Sequence, residues 1–261
     1  MLTVVCMKWG TAFPPGSVTV LYNAIRWNLD TSFRLVCFTD DPSSLAPGIE
    51  SRPIPDIGLP PERWASGCWP KLTLFKPGLL DDAELVIYSD LDNIIQAPLA
   101  PFVERARAIG GLHIVREWNT PILNFLPVWL RRDRGGQSAM FAWRPSEQHH
   151  IFETFVADPE TAYRVDGNDQ KYITRVATNR HYWPHGWCVS FRRSCLWCYP
   201  MSKVFKKVRR PRRAKIVVFH GNPRPWDLVR DGDQRWGTKW KSGVGRVDWV
   251  KDYWERGLGG V

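Results

Sequence analysis

No stretch of this 261-residue chain approaches the roughly 20 consecutive apolar residues that a membrane-spanning helix needs. The opening segment, MLTVVCMKWG, has too short an apolar run for a secretory signal and turns polar at once, so a soluble, cytoplasmic protein is expected, either free or peripheral on a membrane surface. Cysteine is sparse. The six present read as reduced thiols of a cytosolic chain rather than as a disulfide framework. No internal repeat stands out, so the chain is not an array of repeated units. Acid is in deficit, with 26 Asp and Glu against 36 Lys and Arg, for a net charge of +10. That imbalance points to an anionic partner, such as a nucleotide, nucleic acid or membrane surface, without choosing among them.

What is present is ordinary in bulk and unusual in detail. Hydrophobic residues make up 44% and charged residues 24%, which argues for a globular chain and against wholesale disorder. The 15 tryptophans are many for this length. They suit a thick core, or a surface on which sugars or bases stack.

Patterning suggests an α/β chain. LTVVC (2–6) reads as a strand buried on both faces, because its apolar run is continuous rather than alternating. SVTVLYNAIRWNL (17–29) has helical spacing with Ser17 as N-cap. FRLVCFTDD (33–41) is a second strand ending in acids, and 42–61 is a Pro/Gly-rich loop. CWPKLTLFKPG predicts a helix that begins near Pro70 and closes at Gly78, before the third strand AELVIYSD. Strand, helix, strand, helix, strand implies crossovers and a doubly wound, mainly parallel sheet. Further on, 137–145 reads as a strand, 146–158 and 168–178 as helices, and 214–220 as a late strand ending at His220. The last forty residues read as an irregular wrap.

The chemistry concentrates where strands end. VIYSDLDNII (86–95) puts Asp90 and Asp92 one residue apart at the end of an apolar strand. In parallel α/β sheets, ligands bind beyond such ends. Neighbouring carboxylates raise each other's proton affinity unless a cation compensates them, and hard Mg²⁺ or Mn²⁺ would do so. The plain alternative is a solvated turn, since Asp favours turns. VVFHGNPRPWD (217–227) ends a second apolar strand in His220, and its Arg224 offers a planar fork for phosphate oxygens. Taken alone, His220 reads as a hydrogen-bonded turn histidine.

In order along the chain, CMKWG, LYNAIRWNL, FRLVCFTDD, PKLTLF, VIYSDLDNII, NDQKYIT and FHGNPRPW resemble bacterial GT-A glycosyltransferases, close to the family 8 type. The resemblance covers about residues 1–227. It implies a single GT-A domain over 1–261, with a nucleotide-binding half (1–100), a donor-sugar and acceptor half (101–227) and a C-terminal wrap (228–261). It further implies that Asp90, Asp92 and His220 hold Mn²⁺ or Mg²⁺ together with the donor diphosphate. Lys71 and Arg224 would contact the phosphates, with Arg224 standing where relatives usually carry lysine. Met7, Lys8 and Trp9 would face the uracil and ribose, and Asp40 would be a further donor contact or a turn residue. Asp169 and Gln170 would sit by the donor sugar and acceptor. The implied activity is metal-dependent transfer from a UDP-sugar to a glycan or lipid-linked acceptor, with retention of configuration. An inverting enzyme would instead need a base such as Asp166 or Asp169.

Two departures from the relatives stand out. Gln137-Ser138-Ala139 replaces the usual Asn-containing pair in the central strand, so Gln137 reaches further toward the donor sugar. The HGNPRPW spacing is also shorter than in family 8. Three other readings compete. His181, His185, Cys188, Cys195 and Cys198 contain one Cys-x-x-Cys and could hold a structural zinc, although the spacing fits no standard finger. KVFKKVRRPRRAK (203–215) has eight Lys or Arg and no acid, which suits DNA, an anionic membrane or a charged acceptor. The chain could thus be a glycosyltransferase of modified DNA bases, or a nucleic-acid-binding module without catalysis. Paired aspartates would also serve a metal-dependent nuclease or phosphatase.

Overall fold

The computed structural model describes every residue except 65, 119–125, 128–129, 131–132, 198–200, 202–206, 239–240 and 260–261. Strand β1 (Leu2–Lys8) runs through the centre, with all seven residues buried. Its side chains alternate between two apolar layers. Leu2, Val4 and Cys6 pack with Val18, Leu21, Ala24 and Ile25 of helix α1 (Ser17–Asn28). Val5 and Met7 turn the other way, toward Trp69, Leu72 and Phe75. A strand covered on both faces has no position for a polar residue until its end, which explains the unbroken apolar run.

The main sheet has β1, β2 (Phe33–Thr39), β3 (Ile49–Arg52) and β4 (Leu85–Ser89) as a parallel half, extended by β6 (Leu112–Arg116), β7 (Gly136–Trp143) and β8 (Arg180–Tyr182). The order is β3-β2-β1-β4-β7-β6-β8, and β7 runs antiparallel to both its neighbours. The carboxyl ends of β1, β2, β4 and β6 therefore share one edge with the start of β7. The fold is the expected mixed, mainly parallel α/β sheet with helices on both faces, among them α2 (Ala100–Ile109), α3 (His150–Ala157) and α4 (Pro159–Val165). A small second sheet joins β5 (Ile94–Ile95), β10 (Ile216–Val218) and β9 (Cys188–Ser190). It carries the chain from the aspartate turn to the segment before His220.

Four local expectations need correction. Ser17 is not the N-cap: Gly16, at φ 83°, takes that place, and the Ser17 hydroxyl donates to the carbonyl of Pro14. The segment predicted as a helix over 70–78 is a 3₁₀ helix, Trp69–Phe75. It ends early because Pro77 forces Lys76 into an extended conformation. The 42–61 loop contains β3, whose sequence IESR is half exposed at the sheet margin and carries little apolar signal. The C-terminal wrap contains an antiparallel pair, β11 (Arg235–Thr238) and β12 (Lys241–Val244), and a helix over Asp248–Gly259. That helix lies close on α1: the amide of Asn23 donates to the carbonyl of Gly257 at 2.8 Å. A Cβ on Gly257 would stand 3.0 Å from the backbone of Val20.

Candidate active site

The turn after β4 is built by hydrogen bonds rather than left to solvent. The amide of Asp90 donates to the carbonyl of Ala139 at 2.8 Å, extending the ladder with β7 by one residue. The side-chain amide of Asn93 then donates to Ser89 Oγ (3.0 Å) and to the same Ala139 carbonyl (2.8 Å). Leu91 inserts into the apolar layer, and Asp92 is held inward, only 1% exposed.

A cation meets each aspartate. Lys71 Nζ lies 2.8 Å from Asp90 Oδ1, which also accepts from the Tyr88 hydroxyl at 2.6 Å. Arg224 Nη1 bonds Asp92 Oδ2, while Asp92 Oδ1 is buried with no hydrogen-bond partner among the described residues. Arg224 is in turn fixed by its loop. Its amide donates to Asp227 Oδ2 at 2.8 Å, and the ring of Trp226 sits edge-on to Phe13 and Trp254.

Lys71 also reaches a third acid, with Asp169 Oδ2 3.9 Å away. Asp169 begins helix α5 (Asp169–Val176), behind an Asn168 side-chain cap. Its carboxylate accepts from Ser138 Oγ at 2.6 Å, and its amide donates to the carbonyl of Gly67 at 2.9 Å. Burial pushes the Asp169 carboxyl above the usual range, against the pull of Lys71 and Ser138. For Lys71, burial pulls the ammonium down, but Asp90 and Asp169 together hold it above its ordinary value, so it stays charged.

Ser138 can reach Asp169 because β7 is bulged. Gln137 pairs with Val115, although Phe141 pairs with Ile114, so residues 138–140 are looped out of the β6–β7 ladder at the ligand edge. Gln137 itself turns back: its Oε1 accepts from the amide of Ala139 at 2.6 Å.

The remaining expected donor contacts are placed as follows. Met7 is buried, and Trp9 packs beside the same layer. Lys8 Nζ donates to Ser44 Oγ at 3.2 Å and lies 3.9 Å from Asp41. Asp40 accepts from the Gly10 amide at 2.8 Å, which ties the ends of β1 and β2 together. Gln170 is half-buried in the first turn of α5. His220 sits elsewhere: its Nε2 is 2.6 Å from Ser190 Oγ, and its ring stacks on Trp118 at 5.4 Å. Among the described residues, no three His, Cys, Asp or Glu side chains are gathered as a metal ion would require, and this includes both the aspartate–His220 set and the His181–Cys195 cluster. Cys198 lies outside the described residues, as do 203–206 of the basic run.

Two aspartates with one buried carboxylate oxygen unpartnered nevertheless fit a hard divalent cation in donor chemistry. The sequence reading missed Asn93, Ser138 and Cys68. Cys68 heads the 3₁₀ helix at φ 54° and accepts from the Lys71 amide at 3.1 Å. Burial raises its thiol pKa, with the charges of Lys71, Asp169, Asp90 and Arg224 all acting on it. Only Asn93, the residue after Asp-Leu-Asp, carried a signal that could have been read, as an Asn closing a turn.

No protein-family model and no curated protein matches the chain. Solved structures do match in shape. The galactosyltransferase LgtC, in complex with donor and acceptor sugar analogs, aligns with a TM-score of 0.60 at 11% identity, covering 99% of this chain and 96% of that one. The bifunctional glycosyltransferase WbbM aligns at 0.59 with 12% identity over 98% of this chain. The glycosyltransferase GlyE of Streptococcus pneumoniae TIGR4 gives 0.59 and 12% over 99%. The chain spans about half of WbbM (49%) and 61% of GlyE. Sheet order, edge and shape together show that the chain has the GT-A fold of these glycosyltransferases.

Proposed function

We propose that this protein is a glycosyltransferase that moves a sugar from a UDP-sugar to a glycan or lipid-linked acceptor, with retention at the anomeric carbon. One observation carries the reading. Two strand-end aspartates, two cations and a third buried acid converge at the ligand edge of a GT-A sheet. A nuclease or phosphatase would share the aspartates but would have no need of the GT-A fold.

In this reading Asp90 and Asp92 would hold a divalent ion, Mn²⁺ or Mg²⁺, and His220 would have to leave Ser190 Oγ to join them. When bound, that ion supplies charge for the donor diphosphate. The chain's own groups do the rest. Arg224 leaves Asp92 to fork onto phosphate oxygens, and Lys71 stays charged beside Asp90 to favour the leaving diphosphate. Asp169, aimed by Ser138, faces the sugar, where its negative charge favours the oxocarbenium-like transition state. Gln170 and Gln137 contact sugar hydroxyls, and the end of β1, Met7 to Trp9, receives the uracil and ribose.

The test is calorimetry of UDP binding to the purified chain, with and without Mn²⁺. Binding that requires Mn²⁺ supports the reading. Absence of binding in both conditions removes it.

A further inference from the structure

The described part of the basic segment, residues 207–215, is a built surface, not a loose solvated loop. Its backbone is pinned at several points. Gln96, four residues beyond Asp92, donates its side-chain amide to the carbonyls of Pro211 (2.7 Å) and Ala214 (2.9 Å), and its own amide to Lys215 (2.9 Å). Ala214 closes a tight turn onto Pro211 at 2.9 Å, and the amide of Arg209 donates to Cys195 at 3.0 Å. Arg212 and Arg213 occupy the tip of that turn, both exposed, with Lys207, Arg209 and Arg210 exposed beside it.

None of these five cations makes an ion pair with a described acid. Arg210 donates only to the neutral Gln96, at 3.2 Å, and Arg209 lies 4.3 Å over the ring of Trp197. Holding five like charges on a fixed turn without counter-acids costs self-repulsion, which a dense anionic surface would relieve.

We propose that this turn docks the protein on an anionic membrane surface. The placement favours lipid over nucleic acid. Five exposed cations are concentrated within residues 207–213, where laterally mobile headgroups can gather, whereas phosphates at a fixed spacing cannot. Aromatic faces that bases would stack on are also taken: Trp197 is covered by Arg209, and Trp187 meets Lys215 and the ring of Phe102. Trp197 with its arginine suits the headgroup level instead. Gln96, which pins the turn, is four residues beyond Asp92, a span of at most about 14 Å at roughly 3.4 Å per residue, so a docked protein would hold its ligand edge near the headgroups.

The test is co-sedimentation of the full chain with vesicles of phosphatidylcholine mixed with phosphatidylglycerol, against phosphatidylcholine alone. We expect binding only to the anionic vesicles, and loss of it at high salt. Lys207→Gln, Arg212→Gln and Arg213→Gln combined should cut partitioning on the order of a hundredfold, about fivefold for each charge near the surface. These side chains do not hold the turn together, so the thermal midpoint should not move. The triple variant with Lys207→Arg, Arg212→Lys and Arg213→Lys should bind as the native chain does. No partitioning, or undiminished partitioning by the neutral triple variant, would overturn the proposal. So would tighter binding to duplex DNA than to the anionic vesicles at the same salt. None of these readouts uses UDP, so failure here leaves the donor-site reading untouched.

Discussion

Lys71 Nζ stands 2.8 Å from Asp90 Oδ1, and the lysine side chain is 6% exposed. A buried ammonium of this kind belongs to the aspartate turn as much as to its own 3₁₀ helix. Removing it by Lys71→Met would leave the part-buried Asp90 and the buried Asp169 with no cation between them. The expected loss is about 3–5 kcal/mol of folding stability, measured by urea unfolding. Lys71→Met combined with Asp90→Asn should recover part of it.

Asp92→Asn should leave the fold nearly unchanged, because Arg224 is 37% exposed and can turn to water. It removes the negative charge that would hold the proposed divalent ion. The expected result is a near-native thermal midpoint together with loss of Mn²⁺-dependent UDP binding by calorimetry. Retention of full Mn²⁺ dependence would show that Asp92 is not part of the site.

His113 makes the far side of the sheet acid-sensitive. It is buried, stacks on His181 and Trp183, and is pushed down to about 4, first by burial and then by the neighbouring His181 and Arg105, while its contact with the Gly110 carbonyl and the charge of Glu147 oppose the shift. The unfolded chain binds this proton at ordinary histidine pH. The neutral ring therefore contributes stability above about pH 6.5 that is lost as pH falls through about 4, on the order of 3 kcal/mol. Urea unfolding at pH 7.5 and pH 4 measures the slope, and His113→Phe should flatten it.

Gly67→Ala tests the coupling between fold and site. A Cβ there would stand 2.5 Å from Trp69 Nε1 and 3.1 Å from the Gly167 carbonyl, and Trp69 is fully buried against Phe155 and Tyr163. The same Gly67 carbonyl holds the first amide of α5. The crowding should cost about 1–3 kcal/mol. It should also displace Asp169, lowering turnover more than UDP affinity once a donor is in hand.

Elements with strong local signals were legible from sequence. β1, β2 and β4 are continuous apolar runs, and α1 and α5 carry helical spacing. β3 and β8 were not, because short marginal strands such as IESR and RHY take their structure from a neighbour's ladder. The 3₁₀ form of Trp69–Phe75 depends on Pro77 acting on Lys76, which could have been read but competes with a good helical pattern.

For the site, the sequence by itself determined which residues stand at strand ends: Asp90, Asp92, His220 and the start of the loop that bears Arg224. Chain order and apolar patterning settle that, because a buried strand admits polar groups only where it leaves the core. Which of these residues meet was decided only in three dimensions. Lys71 bridging Asp90 and Asp169, Arg224 closing on Asp92, and Ser138 reaching Asp169 through a bulge join residues tens to more than a hundred positions apart. A local pattern carries no information on such pairings. Crossovers, sheet order and one break in a β ladder fix them, and these follow from packing the whole chain around two faces of a single sheet.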